Sequence, residues 1–362
     1  MSKLSRFFEK LKGSSADAAL ISSPLNQRYL TGFDYHDGYL LITREKAFLL
    51  ADFRYIEAAR TALHGTNFEV IRPDGSMLVE LACLLEEHNA SSLLIEESHV
   101  SCSELERYKK AFSGAGVELF SGASAILSEM REVKSADELE KIKKAQEITD
   151  AAFSHILGVM TPSMTEIDVA LELEFFMRKN GAEGIAFDTI AVSGSASSMP
   201  HGQPRNVKLE RGFLTMDFGA KYDGYCADMT RTVVIGRADG EMKRLYDTVL
   251  RAQSCALEIY REGESCYELD KRARDVINGA GYEGCFGHSL GHGVGMLVHE
   301  NPRLAPSADK EIRLVRGNVT SVEPGIYIAG KYGCRIEDLV AIDTEGNTKN
   351  LTKSPKELIE LF

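Results

Sequence analysis

Residues 216–231, MDFGAKYDGYCADMTR, carry two aspartates on two β-rich runs that an Asp-Gly pair joins. Asp-Gly is typical of tight hairpin turns, so the segment predicts a β-hairpin with Asp217 on one strand and Asp228 on the other. Because side chains alternate between the two faces of a strand, this spacing places both carboxylates on the same face.

The register of this hairpin has two solutions. If residues 221–224 form the loop, Asp217 lies directly across from Asp228. If the Asp-Gly pair alone forms the turn, Asp217 faces Thr230 and lies diagonal to Asp228. In either register two like charges lie close together and repel each other. The pair therefore predicts a bound cation or a shared proton.

The composition excludes several classes of protein. The 362 residues carry a formal net charge of -12, which argues against nucleic acid or an anionic membrane as the main partner. The seven cysteines are odd in number and form no C-x-x-C motif, so neither a zinc ribbon nor a secreted disulfide framework is expected. No signal-peptide pattern and no apolar run of membrane-spanning length is found. We expect a cytoplasmic protein.

Two domains are predicted from the pattern of elements. The first third of the chain alternates short apolar strands with segments of helical spacing, which is typical of an α/β domain. A small-residue stretch and a long charged helix follow, and we place the boundary within residues 128–134. The predicted domains are therefore residues 1–130 and residues 131–362.

The second domain contains two similar segments. Serines followed three residues later by glutamate predict helix starts at Ser135, Ser163 and Ser265, and glycines predict helix ends at Gly181 and Gly279. The last two helices are each followed by glycine-rich and β-rich sequence. This favours two related halves, although capping boxes are common enough to recur by chance.

Candidate ligands for a cation lie further along the second domain. Four histidines are found in polar, glycine-rich sequence, whereas the other five stand alone and are better explained by surface or core packing. Residues 318–342 predict a second hairpin with its midpoint at Gly330, so that Glu323 and Glu337 oppose each other on one face. The four histidines of interest are His201, His288, His292 and His299.

Two hairpins that each present a carboxylate pair predict a dinuclear metal site. Any one of these acids could be a solvated strand carboxylate, but four together would repel strongly unless two divalent ions balance them. Oxygen ligands with a single imidazole favour Mn²⁺, with Co²⁺ or Zn²⁺ as alternatives. A water molecule that bridges two such ions loses its proton near neutral pH, which makes it a nucleophile for hydrolysis.

One competing motif is rejected. Residues 287–291, GHSLG, match the G-x-S-x-G pattern of serine hydrolases, with Ser289 as the nucleophile. That motif requires a buried strand before the serine and a helix after it, and the flanking glycine-rich sequence fits neither. No acidic residue lies between Ser289 and His299 to complete a triad.

The chain resembles a known family in four motifs, taken in order: MDFGAKYDGYCADMTR, GHSLGHGVGMLVHENPR, VEPGIYI and RIEDL. These are similar to the pita-bread metallopeptidases, in the branch of Xaa-Pro aminopeptidases and Xaa-Pro dipeptidases. NQRYLTGFDYHDGYLLIT and ADFRYIEAA resemble the creatinase-type N-terminal domain of that branch. The resemblance implies an α/β N-terminal domain and an α+β pita-bread catalytic domain, which has pseudo-two-fold symmetry and an antiparallel sheet flanked by helices.

The resemblance also implies five metal ligands, namely Asp217, Asp228, His292, Glu323 and Glu337. Asp228 and Glu337 would bridge two divalent ions, Asp217 would chelate one ion, and His292 and Glu323 would complete the shell of the other. Glu323 would also carry a proton from the bridging water to the leaving nitrogen.

Four more residues take roles by the same resemblance. His201 would contact the substrate and steady the transition state, and His299 would hydrogen-bond near the scissile carbonyl. His288 would line the pocket for the residue after the cleaved bond, and Arg335 would hold the metal-binding carboxylates. Met296-Leu297 departs from the acidic residue expected there and could reshape the pocket.

The expected activity is cleavage of the bond between an N-terminal residue and a following proline, as in an Xaa-Pro aminopeptidase. The alternative is an Xaa-Pro dipeptidase, which needs a group that binds the substrate carboxylate; Arg303 is a candidate. Further alternatives are a metal-free creatinase-type relative, which would be expected to lose ligands, a binding-only scaffold, and a methionine aminopeptidase, which would lack the N-terminal α/β domain. The resemblance also implies a homodimer.

Overall fold

The N-terminal unit is built on one mixed sheet. The computed structural model describes residues 2–362, which divide into two compact units, one that ends at Arg131 and one that spans Glu132–Phe362. In the first unit the strand order is β4-β3-β2-β1-β5-β6, in which β2 pairs antiparallel with β1 and β3 and the other pairs are parallel. The strands are β1 (Ala18–Ile21), β2 (Tyr39–Thr43), β3 (Ala47–Leu50), β4 (Phe68–Ile71), β5 (Ser92–Ile95) and β6 (Glu118–Ser121).

Helices accompany this sheet, as expected for an α/β unit. Parallel strands need crossover connections, and helical segments supply them. Apolar residues of the central strands, such as Leu20 and Leu93, are buried. The helices are α1 (Lys3–Gly13), α2 (Pro24–Thr31), α3 (Ile56–Ala62), α4 (Met77–Glu87), α5 (Cys102–Phe112) and α6 (Ala123–Glu132).

The second unit consists of four helices and several small, mostly antiparallel sheets, which confirms the predicted α+β class. The helices are α7 (Ala136–Val159), α8 (Glu166–Lys179), α9 (Gly240–Ile259) and α10 (Cys266–Gly279). The first strands are β7 (Gly184–Ile185), β8 (Ile190–Ser193), β9 (Gly212–Phe218), β10 (Ala220–Tyr222), β11 (Tyr225–Cys226), β12 (Met229–Ile235), β13 (Gly291–Gly293) and β14 (Glu300–Leu304). The remaining strands are β15 (Val319–Val322), β16 (Gly325–Ile328), β17 (Tyr332–Arg335), β18 (Asp338–Ile342), β19 (Thr348–Asn350) and β20 (Glu360–Leu361).

Two sheets of the second unit carry the segments that contain the predicted ligands. One sheet has the order β20-β12-β9-β8, and the other has the order β14-β13-β15-β18-β19. Every pair in the second unit is antiparallel except β12 with β20. Each half of the unit thus supplies two helices and one long hairpin.

The first hairpin, residues 212–235, adopts the register with the two-residue turn. Asp217 pairs with Thr230, and Tyr222 pairs with Tyr225 around the turn. Asp223 and Gly224 have φ values of 45° and 85°, the left-handed conformation that this kind of turn demands and that Asp and Gly tolerate. Asp228 is therefore diagonal to Asp217.

The second hairpin, residues 319–342, is centred on Gly330 as predicted. Val322 pairs with Asp338, and Gly325 pairs with Arg335. Between these pairs the ladder is interrupted where residue 324 is proline, which cannot donate a backbone hydrogen bond. The register on both sides nevertheless places Glu323 opposite Glu337.

The helix caps match the sequence only in part. Ser135 caps α7 and forms a full capping box with Glu138, as predicted. The box predicted at Ser163 is wrong, because Thr165 caps α8 and the Glu166 side chain has buried partners instead. Ser265 lies at the start of α10, but its side chain makes no capping hydrogen bond. The sequence-predicted ends are close, since α8 ends at Lys179 and α10 at Gly279.

Within residues 2–362, no helix is long and apolar enough to cross a lipid bilayer. All seven cysteines are present as free thiols. Two hydrophobic cores fill the second unit. One contains residues of α9 and α10, such as Leu245 and Leu269, and the other contains residues of α7 and α8, such as Phe153 and Leu173.

Candidate active site

A cavity of about 690 Å³ in the second unit collects every site residue that the sequence analysis singled out. Its walls come from both hairpins, from β13 and from the loops that precede β8 and β9. The predicted residues in its wall are Asp217, Asp228, His292, Glu323, Glu337, His201, His288, His299 and Arg335.

The most compact group in the cavity is formed by Asp228, His292 and Glu337. One ligand atom of each lies within 4.8 Å of the others, and all three residues are buried. The His292 Nδ1 faces its neighbouring Gly293 carbonyl at 3.2 Å, and a carbonyl only accepts, so the proton of the neutral ring is assigned to Nδ1. The Nε2 lone pair then points toward the carboxylates.

This arrangement is electrostatically unfavourable without a cation. The His292 Nε2 lies 3.1 Å from Glu323 Oε1 and 3.6 Å from Asp228 Oδ2, so a lone pair meets two acceptors. Burial and the repulsion of neighbouring carboxylates raise the pKa of Asp228 and Glu337 well above their ordinary values. Asp217 Oδ1 and Glu337 Oε1 are buried and have no hydrogen-bond partner among residues 2–362. These donor atoms therefore fit a site for divalent metal ions, which would coordinate the atoms that have no hydrogen-bond partner.

Hydrogen bonds aim the carboxylates into the cavity. Arg335 Nη2 donates to Asp217 Oδ2 at 2.6 Å, and Arg335 Nε donates to Thr230 Oγ1 at 2.9 Å. Thr230 in turn donates to Glu337 Oε2 at 2.7 Å. Ser321 Oγ donates to Glu323 at 3.0 Å. Hydrogen-bond partners of this kind fix the orientation of the ligands at metal sites.

Three of these supporting residues were missed by sequence reasoning. Thr230 and Ser321 are ordinary strand residues, although Thr230 already appeared opposite Asp217 in the register that proved correct. Tyr327 lies on β16, and its hydroxyl accepts from Arg335 Nη1 at 2.7 Å and lies 3.0 Å from His288 Nε2. Only its place four residues after Glu323, within the second hairpin, could have pointed to it.

The three remaining histidines differ in how they are held. His288 Nδ1 lies 2.9 Å from the Ser289 carbonyl, so the neutral ring donates there and accepts from the Tyr327 hydroxyl at Nε2. Both its nitrogens are occupied, and burial lowers its pKa. His299 packs edge-on against His292 with ring centroids 4.3 Å apart. The His201 imidazole has no hydrogen-bond partner among residues 2–362, which leaves both nitrogens available to a ligand.

Arg303 also lines the cavity. It pairs with His292 across β13 and β14, so the two side chains leave the sheet on the same face. Within the described part of the chain its guanidinium has no ion-pair or hydrogen-bond partner. By contrast, Met296 is buried and Leu297 lies outside the cavity wall, where Val298 is found instead. The expected effect of Met296-Leu297 on the pocket is therefore absent from the wall itself.

The serine-hydrolase motif has no catalytic geometry. Ser289 is followed by β13 instead of by a helix, and no carboxylate–histidine pair contacts its hydroxyl among residues 2–362. His288 lies beside it, but both ring nitrogens are already engaged. The rejection made from the sequence agrees with this local structure.

Comparisons with known proteins agree with the fold. The model of metallopeptidase family M24 matches residues 140–344, and the creatinase/prolidase N-terminal domain matches residues 3–133. An Xaa-Pro dipeptidase of Pyrococcus horikoshii is 37% identical over 364 residues, covering 99% of this chain and 98% of that protein. The chain is thus a two-domain protein with a peptidase-type catalytic unit.

Solved structures give the same result. An Xaa-Pro dipeptidase from Bacillus anthracis superposes with a TM-score of 0.93 at 38% identity, covering 99% of each chain. An X-Pro aminopeptidase from Thermotoga maritima superposes with a TM-score of 0.89 at 37% identity, covering 98% of this chain and 100% of the other. This chain belongs to metallopeptidase family M24, with a creatinase/prolidase N-terminal domain.

Proposed function

We propose that this protein is a dinuclear metal-dependent Xaa-Pro dipeptidase, which hydrolyses the peptide bond of dipeptides that end in proline. The single observation that carries the choice is Arg303, a cation without a partner in the wall of the cavity that contains the carboxylate–histidine cluster. A dipeptide places its free carboxylate one residue beyond the scissile bond, and arginine is the side chain best suited to bind it.

The names of the relatives support the dipeptidase over the aminopeptidase that the sequence favoured. The similar proteins from Pyrococcus horikoshii and Bacillus anthracis are both called Xaa-Pro dipeptidases. The similar protein from Thermotoga maritima is called an aminopeptidase, so similarity alone leaves both activities open. Arg303 is the feature of this chain that supports the dipeptidase.

We infer that the two divalent ions are held by Asp217, Asp228, His292, Glu323 and Glu337, and that they are Mn²⁺, with Co²⁺ or Zn²⁺ as alternatives. When bound, such ions activate water for attack and polarise the scissile carbonyl. The fit rests on the unpartnered oxygens of Asp217 and Glu337 and on the His292 lone pair. Metal analysis of the purified protein tests this, and a protein with no transition metal that none can activate would exclude it.

The chain's own residues supply binding and proton transfer. His201, with both ring nitrogens available, and His299 would donate hydrogen bonds to the substrate near the scissile carbonyl. Proline leaves as a secondary amine that must gain a proton, and Glu323 is the cavity carboxylate that we assign to carry it. His288 presents a ring whose nitrogens are occupied, so we assign it to the wall that contacts the proline ring.

Substrates that differ only at the carboxylate test the assignment. We expect Xaa-Pro dipeptides to be cleaved faster than Xaa-Pro amides, Xaa-Pro-Xaa tripeptides and proline-free dipeptides. Arg303→Gln should lower kcat/KM for the dipeptide about 10- to 100-fold, since a charge-assisted hydrogen bond contributes about 1.5–3 kcal/mol, and should change the amide little. Arg316→Gln, an exposed arginine paired with Glu262, is the matched control.

Two results would contradict the proposal. If Xaa-Pro-Xaa tripeptides are cleaved as fast as Xaa-Pro dipeptides, the protein is an aminopeptidase. If proline-free dipeptides are cleaved as fast as Xaa-Pro dipeptides, the enzyme is not specific for proline. Light scattering of the purified protein tests the expected homodimer, for which a monomeric mass is the contrary result.

A further inference from the structure

Three of the four cavity histidines lie in irregular segments and not in helices or strands, and one of these, His299, directly precedes β14. His201 belongs to residues 199–206, between a short 3₁₀ turn at Gly194–Ser198 and β9, and His288 belongs to residues 286–290, just before β13. A histidine that contacts substrate must be held to within a fraction of an ångström, yet loops are more mobile than helices and strands. What fixes these two segments is therefore a functional question.

The first segment is tied to a fully buried carboxylate on α8. Glu166 is 0% exposed, and its Oε1 accepts from the Ser193 amide at 2.7 Å and the Ser193 hydroxyl at 2.8 Å. Arg205 donates to the same carboxylate from its amide at 2.9 Å, from Nε at 2.8 Å and from Nη2 at 2.6 Å. The end of β8 and the end of the His201 segment are thus joined at one side chain.

The second segment is tied to a fully buried carboxylate on α10. Asp270 is 0% exposed, and it accepts from the Leu290 amide at 2.9 Å and from Arg274 at 2.8 and 2.9 Å. Arg274 also donates to the carbonyl of Phe286 at 2.7 Å and to that of His288 at 2.8 Å. Both ends of the His288 segment and its histidine are therefore held by one ion pair.

We propose that these two pairs, Glu166–Arg205 and Asp270–Arg274, are positioning clamps that hold His201 and His288 in the cavity, one in each half of the catalytic unit. None of the four residues lines the cavity, so each acts through the histidine segment and touches no substrate. The inference rests on the proposed peptidase function of the cavity and adds to it the residues that set its geometry.

Energetics argue that the clamps serve geometry more than stability. In each pair the carboxylate is buried, while the arginine side chain remains 36% exposed at Arg205 and 23% exposed at Arg274. The carboxylate loses its hydration and solvent screens the arginine, so the net gain in stability from such a pair is small. An ion pair does, however, fix direction, because a guanidinium and a carboxylate meet in a planar, bidentate geometry. In both halves the carboxylate of the pair lies on the second helix, and its arginine binds a histidine segment, which fits that purpose.

The two clamps should differ in importance. The His288 ring has further support, because its nitrogens contact the Ser289 carbonyl and the Tyr327 hydroxyl. The His201 ring has no such contact. Apart from the clamp, its segment is bound at the Pro200 carbonyl by Arg335 Nη1 at 3.3 Å and by two backbone hydrogen bonds, from Met199 N to the Ala196 carbonyl and from Ile167 N to the carbonyl of residue 205. Loss of the first clamp should therefore reduce activity more than loss of the second.

Double-mutant cycles test the proposal in the full-length, metal-loaded enzyme. Arg205→Ala should lower kcat/KM for an Xaa-Pro dipeptide by up to about 100-fold, the order expected when a catalytic group moves by an ångström. Arg205→Ala combined with His201→Ala should lose no more than His201→Ala alone, and Arg274→Ala with His288→Ala should behave alike. The crossed pair, Arg205→Ala with His288→Ala, should be additive. Additive losses within either matched pair, or no loss from the arginine changes, would overturn the proposal.

The arginine variants are chosen to preserve folding. After Arg205→Ala, Glu166 still accepts from the Ser193 amide, the Ser193 hydroxyl and the amide of residue 205. Arg205→Lys keeps the charge but not the planar geometry, so it should restore stability more than activity. If Arg205→Lys restores both equally, the pair acts through charge alone and the positioning role is wrong.

Hydrogen exchange separates this proposal from the proposed function. In Arg205→Ala the hydrogen-bonded amides of Gly202 and residue 205 should exchange faster, while the Leu290 amide keeps its protection; Arg274→Ala should give the reverse. If the wild-type protein cleaves no Xaa-Pro peptide, the function is wrong, but the exchange pattern still decides whether the clamps exist. Unchanged exchange in both segments would exclude them.

Discussion

The two hairpins of the catalytic unit present their carboxylates in different ways. In the first, Asp217 lies opposite Thr230, and Asp228 is displaced by two residues toward the turn. In the second, Glu323 and Glu337 occupy opposite positions where the ladder is interrupted at Pro324. A diagonal pair and a directly opposed pair thus meet in one cavity.

The difference determines where the supporting hydroxyls come from. The diagonal arrangement leaves Thr230 across from Asp217, where its hydroxyl accepts from Arg335 and donates to Glu337 of the other hairpin. In the opposed arrangement the position across from Glu323 is occupied by Glu337, so no hydroxyl can lie there. Ser321, two residues earlier on the same strand face, donates to Glu323 instead. Ser321 also accepts from the His292 amide at 3.1 Å. Similar hairpins therefore produce carboxylates with unlike partners.

The largest effect is expected from the diagonal pair. Asp228 belongs to the compact cluster with His292 and Glu337, whereas Asp217 Oδ2 is already held by Arg335. Asp228→Ala should therefore reduce kcat/KM on the order of 10³-fold or more, the several kcal/mol that metal ions contribute, and should lower metal content more than Asp217→Ala does. Activity assays with elemental analysis check this.

Asp223→Asn is the matched control for Asp228→Ala. It changes an exposed carboxylate in the turn of the same hairpin and keeps a residue that tolerates the left-handed conformation. Its activity should stay close to that of the wild type. An Asp228→Ala enzyme that keeps a tenth of the wild-type activity would show that Asp228 is not an essential metal ligand.

Removal of the supporting hydroxyls should have a smaller effect. Partners of metal ligands typically contribute about 10- to 100-fold to affinity or activity. Thr230→Val should fall at the upper end, because its hydroxyl links Arg335 to Glu337, and Ser321→Ala should fall at the lower end. Metal titrations and kcat/KM measure both.

A conservative change at Thr230 tests whether the loss of activity is due to the hydroxyl itself. Thr230→Ser keeps the hydroxyl and should recover most of the activity that Thr230→Val loses. If Ser321→Ala proves the more damaging change, the link between the hairpins matters less than the bond to Glu323, and the asymmetry inferred from the two registers is wrong.

The ligand-bearing hairpins were predictable because their signals are local. An Asp-Gly turn needs positive φ at both of its residues, and the observed values at Asp223 and Gly224 follow from that chemistry. The position of Gly330 likewise gave the pairing of Glu323 with Glu337. The strand period then placed the two carboxylates of each hairpin on one face, in either register of the first hairpin. That both faces line one cavity is a tertiary contact, which the structure shows.

The supporting contacts were not predictable, because they join residues far apart in the chain. Thr230 donates to Glu337 across 107 positions of sequence, and nothing near either residue indicates the contact. Glu166 shows the opposite error, because its local pattern predicts a capping box that does not form. Its carboxylate instead accepts hydrogen bonds from Ser193 and Arg205, and Thr165 with Asp168 caps the helix. Tertiary hydrogen bonds to a buried carboxylate outweigh a cap that a neighbouring residue can supply.

The last effect is measured on stability instead of activity, at glycines whose backbone closely approaches the backbone of a facing strand segment. A Cβ at Gly219, across from Asp228, would lie 1.9 Å from the Ala227 carbonyl oxygen, and one at Gly291 would lie 2.0 Å from that of Ser321. Overpacking of this kind costs about 1–3 kcal/mol or more, so Gly219→Ala and Gly291→Ala should both lower the free energy of unfolding. Gly158→Ala, in α7 with no atom within 4 Å, is the control and should instead stabilise by about 0.5–1 kcal/mol. Urea unfolding of the three variants checks this, and an equal response at Gly158 and Gly219 would show that the close approach in the first hairpin is not what requires glycine.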